Sequence, residues 1–228
     1  MTTLASRPIA ARRHGEIRRR LESDATVSVE ELARHFGVSR ETIRRDLKAL
    51  AQAGHVDVVH GGAARREGRE AALRDRTGEN IAGKAAIGRK AADLVADGMV
   101  VLLDSGTTTL AVAHALTRKA NLTVCTASLA AAQILVRVPG TRVHILGGEV
   151  DPTDEAAMGI DVIEALSRFR VDLAFLAARG VSPAGEITDY TRAGAEQRRR
   201  MLAAADRAWF VIDREKFGRL TPVRIVND

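Results

Sequence analysis

Two groups of residues in this chain are placed to do chemistry. The first is Arg40, Thr42, Arg44, Arg45 and Lys48, polar or basic side chains inside RETIRRDLKAL. Ile43, Leu47 and Leu50 recur there at helical spacing and should face a core. The basic residues are left for the other faces. A helix with that surface can enter the major groove of DNA, where guanidinium groups read base edges or hold phosphates. The second group is Asp104-Ser105-Gly106-Thr107-Thr108-Thr109, which follows the apolar run MVVLL and opens a helix. Gly106 lets backbone come close to a ligand. The first-turn amides and the hydroxyls of Ser105, Thr107, Thr108 and Thr109 suit a phosphate or another anion. The same hydroxyls also suit a plain helix cap, and local chemistry does not separate the two readings.

Each group needs a scaffold. Ser28 caps a first helix, with Glu31 three residues on completing a capping box. Leu32, Ala33 and Phe36 supply its buried stripe. Gly37 permits a sharp turn, and Ser39 caps the basic helix. Residues 11–23 read as a preceding helix with Ile17 and Leu21 inside. After Gly54, the stretch HVDVVHGG reads as a strand and a turn, a small wing that carries His60, Gly61 and Gly62. Basic residues alone would fit a helical hairpin with a solvated face. Three helices and a wing together predict a winged helix-turn-helix over residues 1–62.

Residues 63–79, AARREGREAALRDRTGE, are polar and charged and read as a linker. Residues 80–228 alternate helix and strand. Helices are expected over 80–97, 107–117, 128–137, 159–169 and 194–205. Apolar strands are expected at 99–103, 122–127, 142–146, 171–177 and 208–212. That order predicts an α/β domain with a mostly parallel sheet covered on both faces, and ligands at the C-terminal ends of its strands. The segment GENIAGKA at 78–85 is one residue short of a nucleotide P-loop. Ala85 stands where the metal-binding hydroxyl belongs, and a charged segment precedes it instead of a strand, so nucleotide binding is rejected. Lys84 stays available to a ligand phosphate.

Apolar residues at 46% with 28% charged fit a soluble globular protein, and aromatics at 3% leave the core to Ala, Val, Leu and Ile. No apolar run approaches the roughly 18 residues of a membrane span. The first sixteen residues lack the apolar centre of a secretory signal, so a cytoplasmic location is expected. A single cysteine, Cys125, excludes an internal disulfide framework and a cysteine-rich metal site. Net charge +6 is compatible with a polyanionic partner. Residues 1–62 hold 11 Lys and Arg against 8 acids, and the remainder holds 24 against 21. Both parts therefore carry the same surplus, and charge placement carries the argument instead. Arg outnumbers Lys thirty to five, which favours bidentate phosphate or guanine contacts or reflects a GC-rich genome.

The stretch VSVEELARHFGVSRETIRRDLKALAQAG at 27–54, followed by VHGGA at 59–63, resembles the DeoR family of bacterial transcription regulators. LDSGTTTLAVAHAL, NLTVCTAS, VHILGGEV, VDLAFLAARGV and KFGR, in matching order, resemble that family's sugar-sensing domain. That domain is similar to ribose-5-phosphate isomerase and the CoA transferases. The resemblance implies a repressor of carbohydrate catabolism genes that binds double-stranded operator DNA, takes a phosphorylated sugar as effector and needs no cofactor or metal. A homo-oligomer is expected, because paired half-sites need two recognition helices. The resemblance places Lys84, Asp104, Gly106, Thr107, Thr108, Ser128, Gly147, Gly148, Gly180, Asp189 and Glu196 at the effector pocket, with Arg198 beside them.

Four departures stand out. Asp57 occupies a wing position that is usually basic; it either weakens a phosphate contact or points away from DNA. Ala127 replaces a usual Asn. Arg198 replaces a usual Lys, which keeps the charge but removes any amine nucleophile or base. The family commonly continues past KFGR with another strand and helix, so a lost or partner-covered edge strand is expected. The competing reading is an enzyme similar to the sugar-phosphate isomerases, with Asp104 or Glu196 as base at a carbonyl. A winged helix is of no use to such an enzyme.

Overall fold

The computed structural model describes residues 9–24, 26–52, 55–65 and 70–226. The first eight residues of the segment read against a secretory signal, Gly54, and linker residues 66–69 lie outside the described residues. The chain divides into two compact units, residues 1–69 and 70–228.

The first unit holds α1 (Ala10–Asp24), β1 (Thr26–Ser28), α2 (Val29–Phe36), α3 (Arg40–Gln52), β2 (Val56–Val59) and β3 (Gly62–Arg65). The three strands form an antiparallel sheet in the order β1-β3-β2. Ser28 caps α2 by accepting from the amides of Glu30 and Glu31, and Gly37 ends it in the left-handed conformation. The Ser39 hydroxyl accepts from the Thr42 amide at 3.1 Å and so starts α3. Ile17 and Leu21 of α1, Leu32 of α2 and Ile43, Leu47 and Leu50 of α3 meet Val27, Val56 and Ala63 of the sheet in one core. Burying this apolar stripe, about 25 cal/mol per Å², is what holds three short helices together. A buried ion pair adds to it. Arg13 grips Asp46 through two nitrogens at 2.8 and 3.1 Å, and His14 Nε2 lies 2.9 Å from Asp46 Oδ1. Burial pushes the Asp46 carboxyl up, but the Arg13 and His14 hydrogen bonds outweigh this and hold it below the usual range. Nothing in the sequence marks this pair, because Asp46 sits between Arg45 and Leu47 with nothing in its type to show it as buried.

The wing runs further than residue 62. Ala63 is fully buried in the first core, and β3 pairs with β1 as well as β2. Gly62 is buried there too: a Cβ on it would lie 2.0 Å from the Val27 carbonyl oxygen, so only glycine lets these two strands meet.

In the second unit, α4 (Leu73–Arg76), α5 (Ile81–Asp93), β4 (Val100–Leu103), α6 (Thr107–Leu116), β5 (Thr123–Thr126), α7 (Leu129–Leu135) and β6 (Arg142–Ile145) come first. β7 (Glu149–Asp151), β8 (Ala156–Met158), α8 (Ile160–Leu166), β9 (Val171–Leu176), β10 (Gly180–Val181) and β11 (Ile187–Asp189) follow. The chain then forms α9 (Arg192–Ala203), β12 (Ala205–Phe210), a single 3-10 turn (Arg214–Lys216) and β13 (Val223–Arg224). Five strands make a parallel sheet in the order β12-β9-β4-β5-β6. Strand alternation splits its side chains. Val101, Leu103, Leu173 and Phe175 pack with α5, α6 and α7, while Leu102, Ala174 and Leu176 pack with α8 and α9. The doubly covered parallel sheet is as the alternation predicted. Cys125 is buried within it, and burial pushes its thiol up to about 11.

Two features were not legible. An antiparallel pair β7-β8 and a small sheet β10-β11-β13 sit outside the parallel sheet. Part of the expected linker also belongs to this unit. Leu73 and Arg76 are buried, and the Leu73 amide donates to the Thr153 carbonyl at 2.7 Å. The charges of residues 70–79 are therefore not all solvated, and some are spent inside the fold.

Candidate functional site

The first unit presents a concavity between α3 and the wing. It is lined by Ser28, Arg40, Arg44, Lys48, His60 and Gly61, together with Gly62. Arg40, Arg44 and Lys48 are basic residues expected to face DNA, and Ser28, His60, Gly61 and Gly62 come from the cap and the wing expected beside them. Ser39 and Thr42 sit at the start of the same helix, joined by a 2.9 Å hydroxyl contact, and Arg45 is 80% exposed on its outer side. Ser28 and Ser39 spend their hydroxyls as caps, so their share in the surface is to set the helix starts. Two acids temper the basic surface. Arg40 pairs with Glu30 at 2.5 Å, and Glu41 lies 3.8 Å from Arg44 and 3.5 Å from Arg45. Such exposed pairs are worth little and yield readily to a phosphate. Asp57 is exposed on β2.

The second site forms at the C-terminal ends of β4 and β9. The chain leaves β4 for β5 on one side and returns to β9 on the other, so the crevice there is a topological switch point. Asp104 ends β4. Its Oδ1 accepts from the Ser105 amide at 2.8 Å and its Oδ2 from the Ala177 amide at 2.9 Å. Arg198 Nε lies 2.8 Å from Asp104 Oδ2, and Arg198 Nη1 reaches Asp189 Oδ2 at 2.6 Å. One buried guanidinium thus ties α9 to two carboxylates from different strand ends. Gly106 follows at φ 129° and ψ 166°, a backbone conformation essentially confined to glycine. No side chain caps α6. Among the described residues the hydroxyls of Ser105, Thr107 and Thr108 make no hydrogen bond, and only Thr109 turns back, donating to the Gly106 carbonyl at 3.0 Å. The plain-cap alternative therefore does not describe this loop. Its first-turn amides take no side-chain cap.

The remaining expected residues divide. Lys84 is buried; its Nζ donates to the Arg76 carbonyl at 3.0 Å and lies 3.9 Å from Asp213 Oδ2. Lys84 and Thr107 both line a groove of about 630 Å³ between α5 and α6, within the range of small-molecule sites. Ser128 is a buried helix cap, accepting from the Ala131 amide. Gly180 lies in β10, where a Cβ would come 2.5 Å from the Arg219 carbonyl oxygen. That closeness is a packing requirement of the small sheet. Gly147 and Gly148 are exposed after β6. Glu196 departs from expectation. It turns to Arg200 and Arg199, whose hydrogen bonds hold its carboxyl below the usual range, while Arg198 on the same helix turns inward. Two positions apart on a helix point to different sides, so Glu196 is not brought to Asp104.

A further group carries no local mark in the sequence. Glu70 is buried among Arg179, Lys216 and Arg76, and Arg179 and Arg76 also hold Asp154. Burial raises the Glu70 carboxyl, but the three cations hold it far below the usual range. Burial lowers the Lys216 ammonium, with Arg219 and Arg76 pushing the same way against Glu70. Glu70 and Asp154 lie 84 residues apart in sequence, and only the fold brings them together. Among the described residues no cluster of His, Cys, Asp or Glu suits a metal ion, and no helix is long and apolar enough to cross a membrane.

Residues 13–68 match the model of the DeoR-like helix-turn-helix domain, and residues 79–227 match that of the DeoR C terminal sensor domain. The chain belongs to the DeoR family. Its family relatives include the glycerol-3-phosphate regulon repressor of Escherichia coli K12, 33% identical over 91% of this chain and 82% of that protein. The HTH-type transcriptional regulator GolR of Listeria innocua is 32% identical over 94% of this chain and 85% of its own length. Among solved structures, ribose 5-phosphate isomerase A of Methanocaldococcus jannaschii overlays 61% of this chain and 55% of its own at 18% identity. Its TM-score of 0.44 is too low to bear on chemistry. The relatives from E. coli and Listeria are named as transcriptional regulators. In the DeoR frame, the concavity beside α3 falls in the helix-turn-helix part and the Asp104 crevice in the sensor part.

Proposed function

We propose that this DeoR-family chain is a cytoplasmic transcriptional repressor of carbohydrate catabolism genes. It binds operator DNA as a homo-oligomer through α3 and the wing, is released by a phosphorylated sugar, and catalyses no reaction. The observation that carries the reading is the open concavity in which Arg40, Arg44, Lys48 and His60 converge beside a helix sized for the major groove. The name of the E. coli relative, a glycerol-3-phosphate regulon repressor, supports a phosphate ester as effector. So does the uncapped start of α6, whose amides and hydroxyls suit three phosphate oxygens. Against catalysis stand the two acids that were candidates for a base. Asp104 has both oxygens engaged by amides and Arg198, and Glu196 is turned away from the crevice.

The test is titration of the full chain against DNA upstream of its own gene, at fixed ionic strength. The double change Arg44→Ala, Arg45→Ala should weaken binding by about 1–3 kcal/mol per lost base contact. A sugar phosphate from the adjacent pathway should weaken wild-type binding by roughly 5–150-fold, the usual span of such coupling. The unphosphorylated sugar should do little. Unchanged DNA affinity in the double variant refutes the surface. A response to the unphosphorylated sugar alone refutes the effector.

A further inference from the structure

The parallel sheet ends at β6, and no described strand pairs with its outer side. The Arg142 amide donates to the Leu122 carbonyl and the Leu146 amide to the Thr126 carbonyl, both at 2.8 Å. Even-numbered residues of this strand therefore turn their backbone to β5. By strand alternation, Val143 and Ile145 turn their N–H and C=O groups outward. Such an edge pairs with another strand unless charge, proline or a bulge blunts it. The sheet's other edge, β12, carries exposed Asp206 and Arg207 within the strand. β6 holds no proline, and Arg142 at its start is its one fixed charge.

The surface beside this edge is apolar. Val143 packs with the core that includes Ala131 and Leu135 of α7. Ile145, two residues on, shares that face of the sheet and is 49% exposed. α7 itself, LAAAQIL, has no charged residue. Its Leu129, Ala132 and Gln133, with the following Val136, recur at helical spacing on the side away from Ala131 and Leu135. Leu129 is 38% exposed and Val136 65%. The outer face of a surface helix ordinarily carries charge. An uncharged one beside an open strand marks an interaction surface.

The edge is complementary to itself. With a two-fold axis through His144 and the strands antiparallel, Val143 lies opposite Ile145 of the partner subunit, and Ile145 lies opposite the partner's Val143. These are the residues whose backbone groups point outward, so each opposed pair exchanges both of its hydrogen bonds. Moving the axis by one residue sets Val143 opposite Gly147, or Ile145 opposite Thr141, outside the strand. Opposed residues share a face, so the seam also gathers the apolar side chains of both copies beside both α7 stripes. We propose that a second copy of this chain docks on β6 in this register, so that the two sheets run on as one and the α7 surfaces flank the seam. Such an isologous contact closes after two subunits. It rests on the homo-oligomer of the proposed function and names the surface that builds it.

The experiment places a thiol on the axis. In the full chain, His144→Cys sets two Cβ atoms about 4.5–5.5 Å apart in a narrow cross-strand pair, close to disulfide reach. Native Cys125 is buried and does not compete. Under oxidised glutathione, His144→Cys should form a reducible dimer about tenfold faster than Arg207→Cys on the other edge, because pairing raises the local thiol concentration. Equal rates overturn the interface. Ile145→Lys changes an exposed side chain, so thermal melts should match wild type. It sets an ammonium against the partner's Val143, and sedimentation should show self-association weakened by about tenfold or more. Unchanged association overturns the interface as well. Wild type supplies a reading that needs no variant to fold. Hydrogen exchange at the amides of Val143 and Ile145 should slow as protein concentration rises through the association range. Constant exchange in a chain that sediments as an oligomer removes β6 as the interface and leaves the homo-oligomer reading standing. A chain that sediments as a monomer, free and on DNA, refutes both.

Discussion

Replacing Arg198 tests whether the crevice is held by charge. Its guanidinium serves Asp104 and Asp189 at 2.8 and 2.6 Å, and all three side chains are at most 4% exposed. Arg198→Met keeps most of the volume and removes the guanidinium that bridges those two carboxylates. Breaking a buried pair costs about 3–5 kcal/mol. Asp104 keeps two backbone amides, and Asp189 keeps the amide of Thr191 at 3.0 Å. The expected loss is therefore near the middle of that range, about 4 kcal/mol. Arg198→Lys retains the charge, but one ammonium cannot reproduce the fork across both acids. It should lose one charged hydrogen bond, about 1.5–3 kcal/mol. With a urea slope of about 2 kcal/mol/M, the midpoint should fall by about 2 M for Met and about 1 M for Lys. Trp209 is the chain's one tryptophan and lies in β12, so its emission follows the sensor unit alone. An unchanged midpoint in Arg198→Met, or equal losses in both variants, would refute the reasoning.

Further outcomes follow from the same geometry. Glu30→Gln frees Arg40 from its exposed partner, so DNA affinity should rise. The salt dependence should steepen by about 0.9 in log–log slope for the one added phosphate contact, as read from binding isotherms at several salt concentrations. Gly106→Ala meets only ordinary contacts, Ala177 Cβ at 3.7 Å and Thr109 Oγ1 at 3.9 Å, so its cost is backbone strain of about 1–3 kcal/mol. Thermal melts should show that loss, and calorimetry should show weakened sugar-phosphate binding. Asp46 titrates below its ordinary value of 3.8 in the folded state. Its stabilising share is then fully present above that value and is lost as pH falls through the lowered folded value. Wild type and Asp46→Asn should differ in stability of the first unit at pH 6 and converge in strong acid; a constant difference would show that the charge is irrelevant.

The helix-turn-helix was legible because its signals are local. Ser28, Gly37 and Ser39 mark helix ends within one turn, and Ile43, Leu47 and Leu50 mark a buried face through a 3.6-residue period. The same holds for the parallel sheet, whose strands are continuous apolar runs separated by helices, and for the Asp104–Thr109 loop at a strand end. The sequence also named Arg198 and Asp189 as neighbours of the site through family resemblance, but not that they bind each other. The rest was decided by distance in three dimensions. Glu70 and Arg76 stand in a segment that reads as a charged linker, and nothing in the types of Asp154, Arg179 and Lys216 marks them as its partners, since a lone Arg or Glu carries no local mark of burial. The same is true of Arg13 and Asp46, 33 residues apart. Glu196 and Arg198 looked equivalent in sequence and were separated only by helix rotation, which turned one inward and the other to Arg199 and Arg200. Local periodicity and capping act over a few residues and survive in the one-dimensional text. The pairing of buried charges depends on which segments the packed core brings together, and that information exists only once the chain has folded.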